Sequence, residues 1–329
     1  MTDHRFPRRA IAAALSVGML PAPRGAAAQT LDWPRRPVRL ICGFPPGGLT
    51  DIIARFTAQA LGAAWGQTVV VDNRSGAGGT IATDAVARAA PDGYTLFFAT
   101  LSLVANPPMF LNLPYDVERS FVSLGGIAIS PNVLACNAGT PWHTLGELVT
   151  AAKAAPGAIS YSTSGIGSNG HYGGAVLNAT AGIELSHVPY RGAAPATQDA
   201  ISGTVPLTFN TLGTVLGAIR AGQLRALAVA GATRNVDLPD TPTFIEAGYA
   251  LPDTSVWYGL MAPAGLPSAL AQRIEGDVVA LQSQPEMRER LRAQGSETLA
   301  LDAAGLAARI REELPRWRQV AQSVGIRAE

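Results

Sequence analysis

Two glycine-rich turns hold the residues most able to do chemistry. The first is Phe44-Pro45-Pro46-Gly47-Gly48, set between an apolar run ending at Cys42 and an amphipathic stretch starting near Thr50. Its prolines stiffen the turn and donate no backbone hydrogen bond. Its glycines let the main chain come close to whatever lies above it. Ile52, Ile53, Phe56, Ala60 and Leu61 follow near helical spacing. The first N–H groups of such a helix lack internal partners and carry about half a unit of positive charge. The turn is therefore a seat for an anion built from backbone alone. The same pattern also fits an ordinary strand–loop–helix corner. The second turn, Gly165–Gly170, is flanked and filled by Ser162, Thr163, Ser164, Ser168 and Asn169. Those side chains suit hydrogen bonding to a small polar ligand.

Other chemistries fit the residues poorly. Gly165-x-Gly167-x-x-Gly170 has the form of a dinucleotide fingerprint, but the next strand ends in Val188-Pro189 where an acidic ribose-binding residue is required. A phosphate-binding loop needs Lys after glycine, and Lys153 follows Ala152. The stretch around Ser168, Ile-Gly-Ser-Asn-Gly, lacks the first glycine of a nucleophile elbow. His143, His171 and His187 show no metal spacing, and neither cysteine has a ligand partner nearby. The chain has loops built to hold something and little machinery to transform it. A binding protein, not an enzyme, is expected, with no cofactor and no metal. A carboxylate suits the donors. Charge-assisted hydrogen bonds contribute about 1.5–3 kcal/mol each. Three or four of them, less the cost of ordering, support a micromolar affinity, about −8 kcal/mol.

The elements that must position these turns alternate. Strands are predicted at Val38–Cys42, Val69–Asp72 and Thr95–Ala99, with helices at Thr50–Ala64 and Thr80–Ala89, an order that implies a parallel sheet covered on both faces. A second block follows, with strands at Val133–Cys136, Ala158–Ser162, Glu184–Pro189, Val205–Phe209 and Leu224–Ala230. Its helices are predicted at Leu145–Ala154, His171–Thr180, Pro195–Ser202 and Thr214–Ala221. The last third reads as mostly helical, at Pro267–Gln282 and Ala303–Val324. Ligands of open α/β sheets bind beyond the carboxyl ends of the strands, where both glycine turns lie.

Composition sets the remaining limits. The chain has 329 residues, 47% apolar and 15% charged, enough for a well-buried core and two lobes. No basic run interleaved with aromatics lies beyond the N-terminus, which argues against nucleic acid. Arg5, Arg8 and Arg9, then the apolar stretch Ala10–Leu20 and an Ala26-Ala27-Ala28 cleavage site, read as an export signal. Arg8-Arg9 leaves both the general secretory and the twin-arginine routes open. Residues 1–28 hold four Arg and one Asp, so their removal takes the formal charge from +1 to −2. Cys42 and Cys136 lie in separate apolar runs and are expected as two buried thiols.

Several motifs in order resemble one family. They are Trp33-Pro34-x-x-Pro37-Val38, Phe44-Pro45-Pro46-Gly47-Gly48-x-x-Asp51, Val71-x-Asn73-Arg74-x-Gly76-Ala77-Gly78-Gly79, Pro91-Asp92-Gly93-Tyr94-Thr95-Leu96 and Asn106-Pro107. Further on stand Tyr161-x-x-Ser164-Gly165-x-Gly167-Ser168-x-x-His171, Val188-Pro189-Tyr190-Arg191-Gly192 and Trp257-Tyr258-Gly259-Leu260-x-Ala262-Pro263-Ala264-Gly265-x-Pro267. Together they resemble the Bug (TctC-like) extracytoplasmic solute receptors of tripartite tricarboxylate transporters.

The resemblance implies a two-lobed periplasmic binding protein (type II-like). Two α/β domains would be joined by two crossing strands, near Leu124–Ile129 and Leu224–Ala230, with a ligand cleft between. Residues 1–28 would be the signal peptide, cleaved near Ala28, 29–128 with 229–329 the first domain, and 129–228 the second. The expected contacts to a small organic carboxylate are Phe44, Gly47, Gly48, Thr100, Asn106, Ser164, Gly167, Ser168, Arg191 and Asn210. Asp51 is expected as a loop-holder and His171 as a support behind the contacts. Gly76–Gly79 is expected as a turn that packs the lobes. The protein would be a periplasmic monomer whose partners are the membrane subunits of such a transporter, or a sensor kinase if it signals instead. A secreted enzyme acting on a carboxylate is the weaker alternative. Cys42-Gly43, Gly170 and Asn210 depart from the usual family pattern, which leaves the role of Asn210 in orienting a ligand open.

Overall fold

The structure is a computed structural model; it describes residues 1–2, 32–110 and 112–325. The export signal expected at 1–28 lies outside the described residues except for its first two. The strands are β1 (Val38–Cys42), β2 (Val69–Asn73), β3 (Thr95–Thr100), β4 (Phe121–Ser130), β5 (Asn132–Asn137), β6 (Ile159–Thr163), β7 (Leu185–Pro189), β8 (Leu207–Thr211), β9 (Leu224–Val229), β10 (Val256–Pro263) and β11 (Glu297–Thr298). The helices are α1 (Leu49–Trp65), α2 (Thr80–Ala87), α3 (Ser102–Ala105), α4 (Leu145–Ala154), α5 (Asn169–Ala181), α6 (Ala193–Ser202), α7 (Leu212–Arg220), α8 (Ser268–Ser283), α9 (Pro285–Ala293) and α10 (Ala303–Val324).

The strands form two sheets, ordered β11-β4-β10-β3-β1-β2 and β7-β6-β8-β5-β9. The β-α-β-α-β opening builds a parallel trio, β2-β1-β3, as its order requires. The sheet is not parallel throughout, however. β10 runs antiparallel to both β3 and β4, and in the second sheet β5 runs antiparallel to β8 and β9. Both sheets are therefore mixed. The last third of the chain, expected as mostly helical, supplies this central strand. Val-Trp-Tyr-Gly-Leu-Met-Ala-Pro is buried along its whole length, and a continuous apolar run shows no alternation by which to recognise a strand.

The chain leaves the first sheet at Pro131, which lacks the N–H needed to continue a ladder. β4 ends one residue before it and β5 begins one residue after, in the other sheet. The return lies between Val229 and Val256.

Period-two alternation explains the second core. Leu134 and Cys136 of β5 pack with Leu148 of α4 and Leu177 of α5, whereas Val133 and Ala135 pack with Val215 and Leu216 of α7. Successive side chains face opposite sides of a sheet covered on both. Each leucine so buried contributes about 1.5–3 kcal/mol. The two halves are tied by Tyr172 of α5. Its ring meets Trp317 of α10 edge-on at 5.1 Å, and its hydroxyl donates to the Ala105 carbonyl. Cys42 and Cys136 are separate, buried thiols. Among the described residues no helix is long and apolar enough to cross a membrane.

Candidate functional site

The first turn is held from behind by Asp51. Its Oδ2 accepts the Gly47 N–H at 3.0 Å, and its Oδ1 accepts from Asn73 Nδ2 at 2.9 Å. The Arg55 guanidinium pairs with it at 2.9 Å. Burial works against the Asp51 charge, but hydrogen bonds from Arg55, Gly47 and Asn73 outweigh it and hold the carboxyl below the usual carboxylate range. Asn73 Nδ2 also donates to the Phe44 carbonyl at 2.9 Å. Gly47 has φ +84°, a left-handed conformation that favours glycine. Gly48 is the N-cap of α1 and has no side chain to satisfy the helix's first N–H groups.

The second turn is held by the end of β6 and by two histidines. Thr163 Oγ1 accepts the Gly165 N–H at 3.1 Å and lies 2.7 Å from His187 Nε2. Ser168 caps α5, its hydroxyl accepting the His171 N–H at 3.3 Å. His171 Nδ1 in turn accepts the Gly167 N–H at 3.3 Å. The rings of His171 and His187 stack 4.3 Å apart. Burial lowers the pKa of His171 to about 4. Burial and then the neighbouring His171 lower that of His187 to about 3. Both are neutral at pH 7.

Both turns line one cavity of about 40 Å³. Phe44, Gly48 and Thr50 come from the first turn and α1, Ser164 and Asn169 from the second. The ends of β3 and β8 add Thr100, Asn210 and Thr211, the helices that follow them, α3 and α7, add Ser102 and Thr214, and β10 adds Tyr258. Among the described residues no Asp, Glu, Lys, Arg or His lines it. It meets, at Phe44, Pro45, Ser164 and Gly192, an outer chamber of about 600 Å³ whose one charged lining residue among the described residues is Arg191. Arg191 is exposed. Among the described residues no group of three His, Cys, Asp or Glu is placed to hold a metal.

The cavity is lined by main chain and by hydroxyl and amide side chains, between turns from two sheets. The family profile for the tripartite tricarboxylate transporter family receptor, TctC, matches residues 53–326. The chain belongs to this family. It is 34% identical to BugT of Bordetella pertussis over 314 residues, 94% of this chain and 96% of BugT. Among solved structures it is similar to R. palustris Rpa4515 with adipate, at 34% identity and TM-score 0.86 over 90% of this chain and 99% of that one. It is also similar to MatC of Rhodopseudomonas palustris with bound malate, at 29% identity and TM-score 0.83 over 88% and 99%. The chain is thus a transport receptor, not an enzyme, and shares the fold of the periplasmic binding protein BugD, at 32% identity and TM-score 0.85 over 90% of this chain and 100% of that one.

In this TctC receptor the residues singled out from the sequence fall into three groups. Phe44, Gly48, Thr100, Ser164 and Asn210 line the inner cavity. Ser168 and Arg191 line the outer chamber. Gly47, Asp51, Asn106, Gly167 and His171 line neither. Gly47 and Gly167, expected to bring backbone to a ligand, instead give their N–H groups to Asp51 and His171. Asn106, expected as a contact, donates from Nδ2 to the Gly78 carbonyl at 2.7 Å. That bond sets the Gly76–Gly79 turn beside Gly167 of the opposite half, where a Cβ on Gly78 would stand 3.2 Å from the Gly167 Cα. Asn169, expected among the hydrogen-bonding side chains of the second turn, also lines the inner cavity, whereas Thr50, Ser102, Thr211, Thr214 and Tyr258 were not anticipated. The strand-end rule pointed to the β3 and β8 ends, but nothing in the sequence pointed to β10.

Proposed function

We propose that this protein is an exported periplasmic receptor that binds a small organic dicarboxylate and delivers it to the membrane subunits of a tripartite tricarboxylate-type transporter. One carboxylate sits in the inner cavity against the main chain of Gly48–Thr50 and the polar groups of Ser164, Thr100 and Asn210. The other end lies in the outer chamber near Arg191, with Ser168 on the wall. Asp51, Asn106, His171, Gly47 and Gly167 keep the two turns in place. Residues 1–28 are removed on export, 29–128 with 229–329 form one lobe, and 129–228 form the other. Closure of the lobes expels water and strengthens each hydrogen bond to the acid, and the membrane subunits recognise that closed form.

The observation that carries this reading is the meeting of two glycine-rich strand–helix turns, from different sheets, on one cavity lined, among the described residues, by no ionised side chain. The named relatives supply the class of acid, since adipate and malate are both dicarboxylates. Gly48→Val is the test. Gly48 has φ −83° and ψ 166°, which a β-branched residue adopts, and a Cβ there would meet Ala193 Cβ and the Pro45 carbonyl only at 4.0 Å. The fold has room for the change, at a capping cost of about 1 kcal/mol, while the added methyls occupy the space between the turns. Calorimetric titration with malate, succinate and adipate should show binding to the wild type and none to the variant. Equal affinities would contradict the assignment.

A further inference from the structure

Tyr258 of β10 lines the inner cavity. Its side chain is fully buried, and its hydroxyl has no hydrogen-bond partner. The Thr50 hydroxyl stands beside it without completing a bond of normal geometry. Buried phenol hydroxyls are almost always paired, and one left alone implies a missing partner. Among the described residues several buried polar atoms are unpaired, and Tyr258 Oη is the one that belongs to the lining of the inner cavity. The ring cannot swing to find a partner elsewhere, because it stacks on Phe98 at 5.6 Å and 22°. Its strand neighbour across the ladder is Thr100, whose hydroxyl lies 2.8 Å from that of Ser102 on the same cavity. The open N-terminus of α1 enters the cavity at Leu49 and Thr50. Burial keeps the phenol protonated, so it is available as a donor.

We propose that Tyr258 is a ligand-contacting residue, its hydroxyl donating to an oxygen of the carboxylate buried in the inner cavity. A helix N-terminus offers only N–H donors, and a phenol is a better donor than the aliphatic hydroxyls around it. The group they converge on is an acceptor, and an anionic acceptor gains most in a cavity shielded from water. The inference rests on the carboxylate reading above and adds a residue to it. The competing occupant is water, for which a cavity of this size has room.

Tyr258→Phe tests it. The variant keeps the ring, its stacking and its volume, and removes only the unpaired oxygen. In the ligand-free protein the melting temperature should stay the same or rise, because a buried unpaired hydroxyl is lost. Titration with malate, succinate and adipate should show affinity for the acid that binds wild type best reduced about tenfold or more. The ligand-induced rise in melting temperature should shrink with it. A tyrosine band in the ultraviolet difference spectrum on ligand addition should be present in wild type and absent in the variant. Affinity within twofold of wild type would overturn the role of Tyr258 and leave the receptor reading standing. No binding of any of the three acids by wild type would overturn both.

Discussion

Acidification should weaken this protein through the stacked histidines behind the second turn. In an unfolded chain His171 titrates near its ordinary value, about 6.5, but in the native protein burial holds it at about 4. Above pH 6.5 both states carry a neutral ring, so this group costs no stability. Between about 6.5 and 4 the unfolded chain binds the proton and the native chain does not, so stability falls as pH falls. At pH 5 the integrated loss from His171 is about 2 kcal/mol. His187, held lower still at about 3 by burial and then by its neighbour, adds a loss of similar size in the same direction, since two cations 4.3 Å apart repel. Protonation also puts a hydrogen on the Nδ1 that accepts the Gly167 N–H, so the turn loses its anchor and ligand affinity should fall in the same window. Urea unfolding followed by tryptophan fluorescence at pH 7.5, 6.5, 5.5 and 5.0 measures the slope. His171→Gln should flatten it by about 2 kcal/mol over that span. Identical slopes for wild type and variant would refute the reasoning, as would a stability that does not change between pH 7.5 and 5.

Two further outcomes follow from the geometry. Arg191→Gln should weaken binding of a dicarboxylate several-fold and make it less salt-sensitive, while a monocarboxylate of the same chain length binds as before; calorimetry at two ionic strengths checks this. Gly213→Ala should oppose approach of the two halves, because a Cβ there would lie 2.2 Å from the Gln294 carbonyl oxygen and 2.8 Å from Leu49. Circular dichroism should be unchanged, and the ligand-induced compaction seen by small-angle scattering should be lost.

Local chemistry made much of this protein legible in its sequence. The prolines and glycines of Phe44–Gly48 marked the first turn, and the hydroxyls around Gly165–Gly170 marked the second, because turn geometry is set by the residues that form it. Periodicity placed α10 at the residues where it lies, ending at Gly325, whose φ is +65°. What stayed hidden depends on chain paths between distant segments. β10 enters the first sheet antiparallel between β3 and β4, and only that insertion brings Tyr258 beside Thr100. The same limit applies to Gly47 and Gly167. Their composition announced a close approach by some partner, but the partners are Asp51 and His171 of their own turns, each four residues further along the chain.

A crystal structure of the mature protein with malate or adipate tests the central claim most directly. One carboxylate should lie within hydrogen-bond distance of the main-chain N–H groups at Gly48–Thr50 and of the Ser164 side of the cleft, with no ionised side chain touching it. A ligand whose buried end is a neutral sugar, a nucleotide or a metal, or an acid held only by side chains outside the inner cavity, would contradict it.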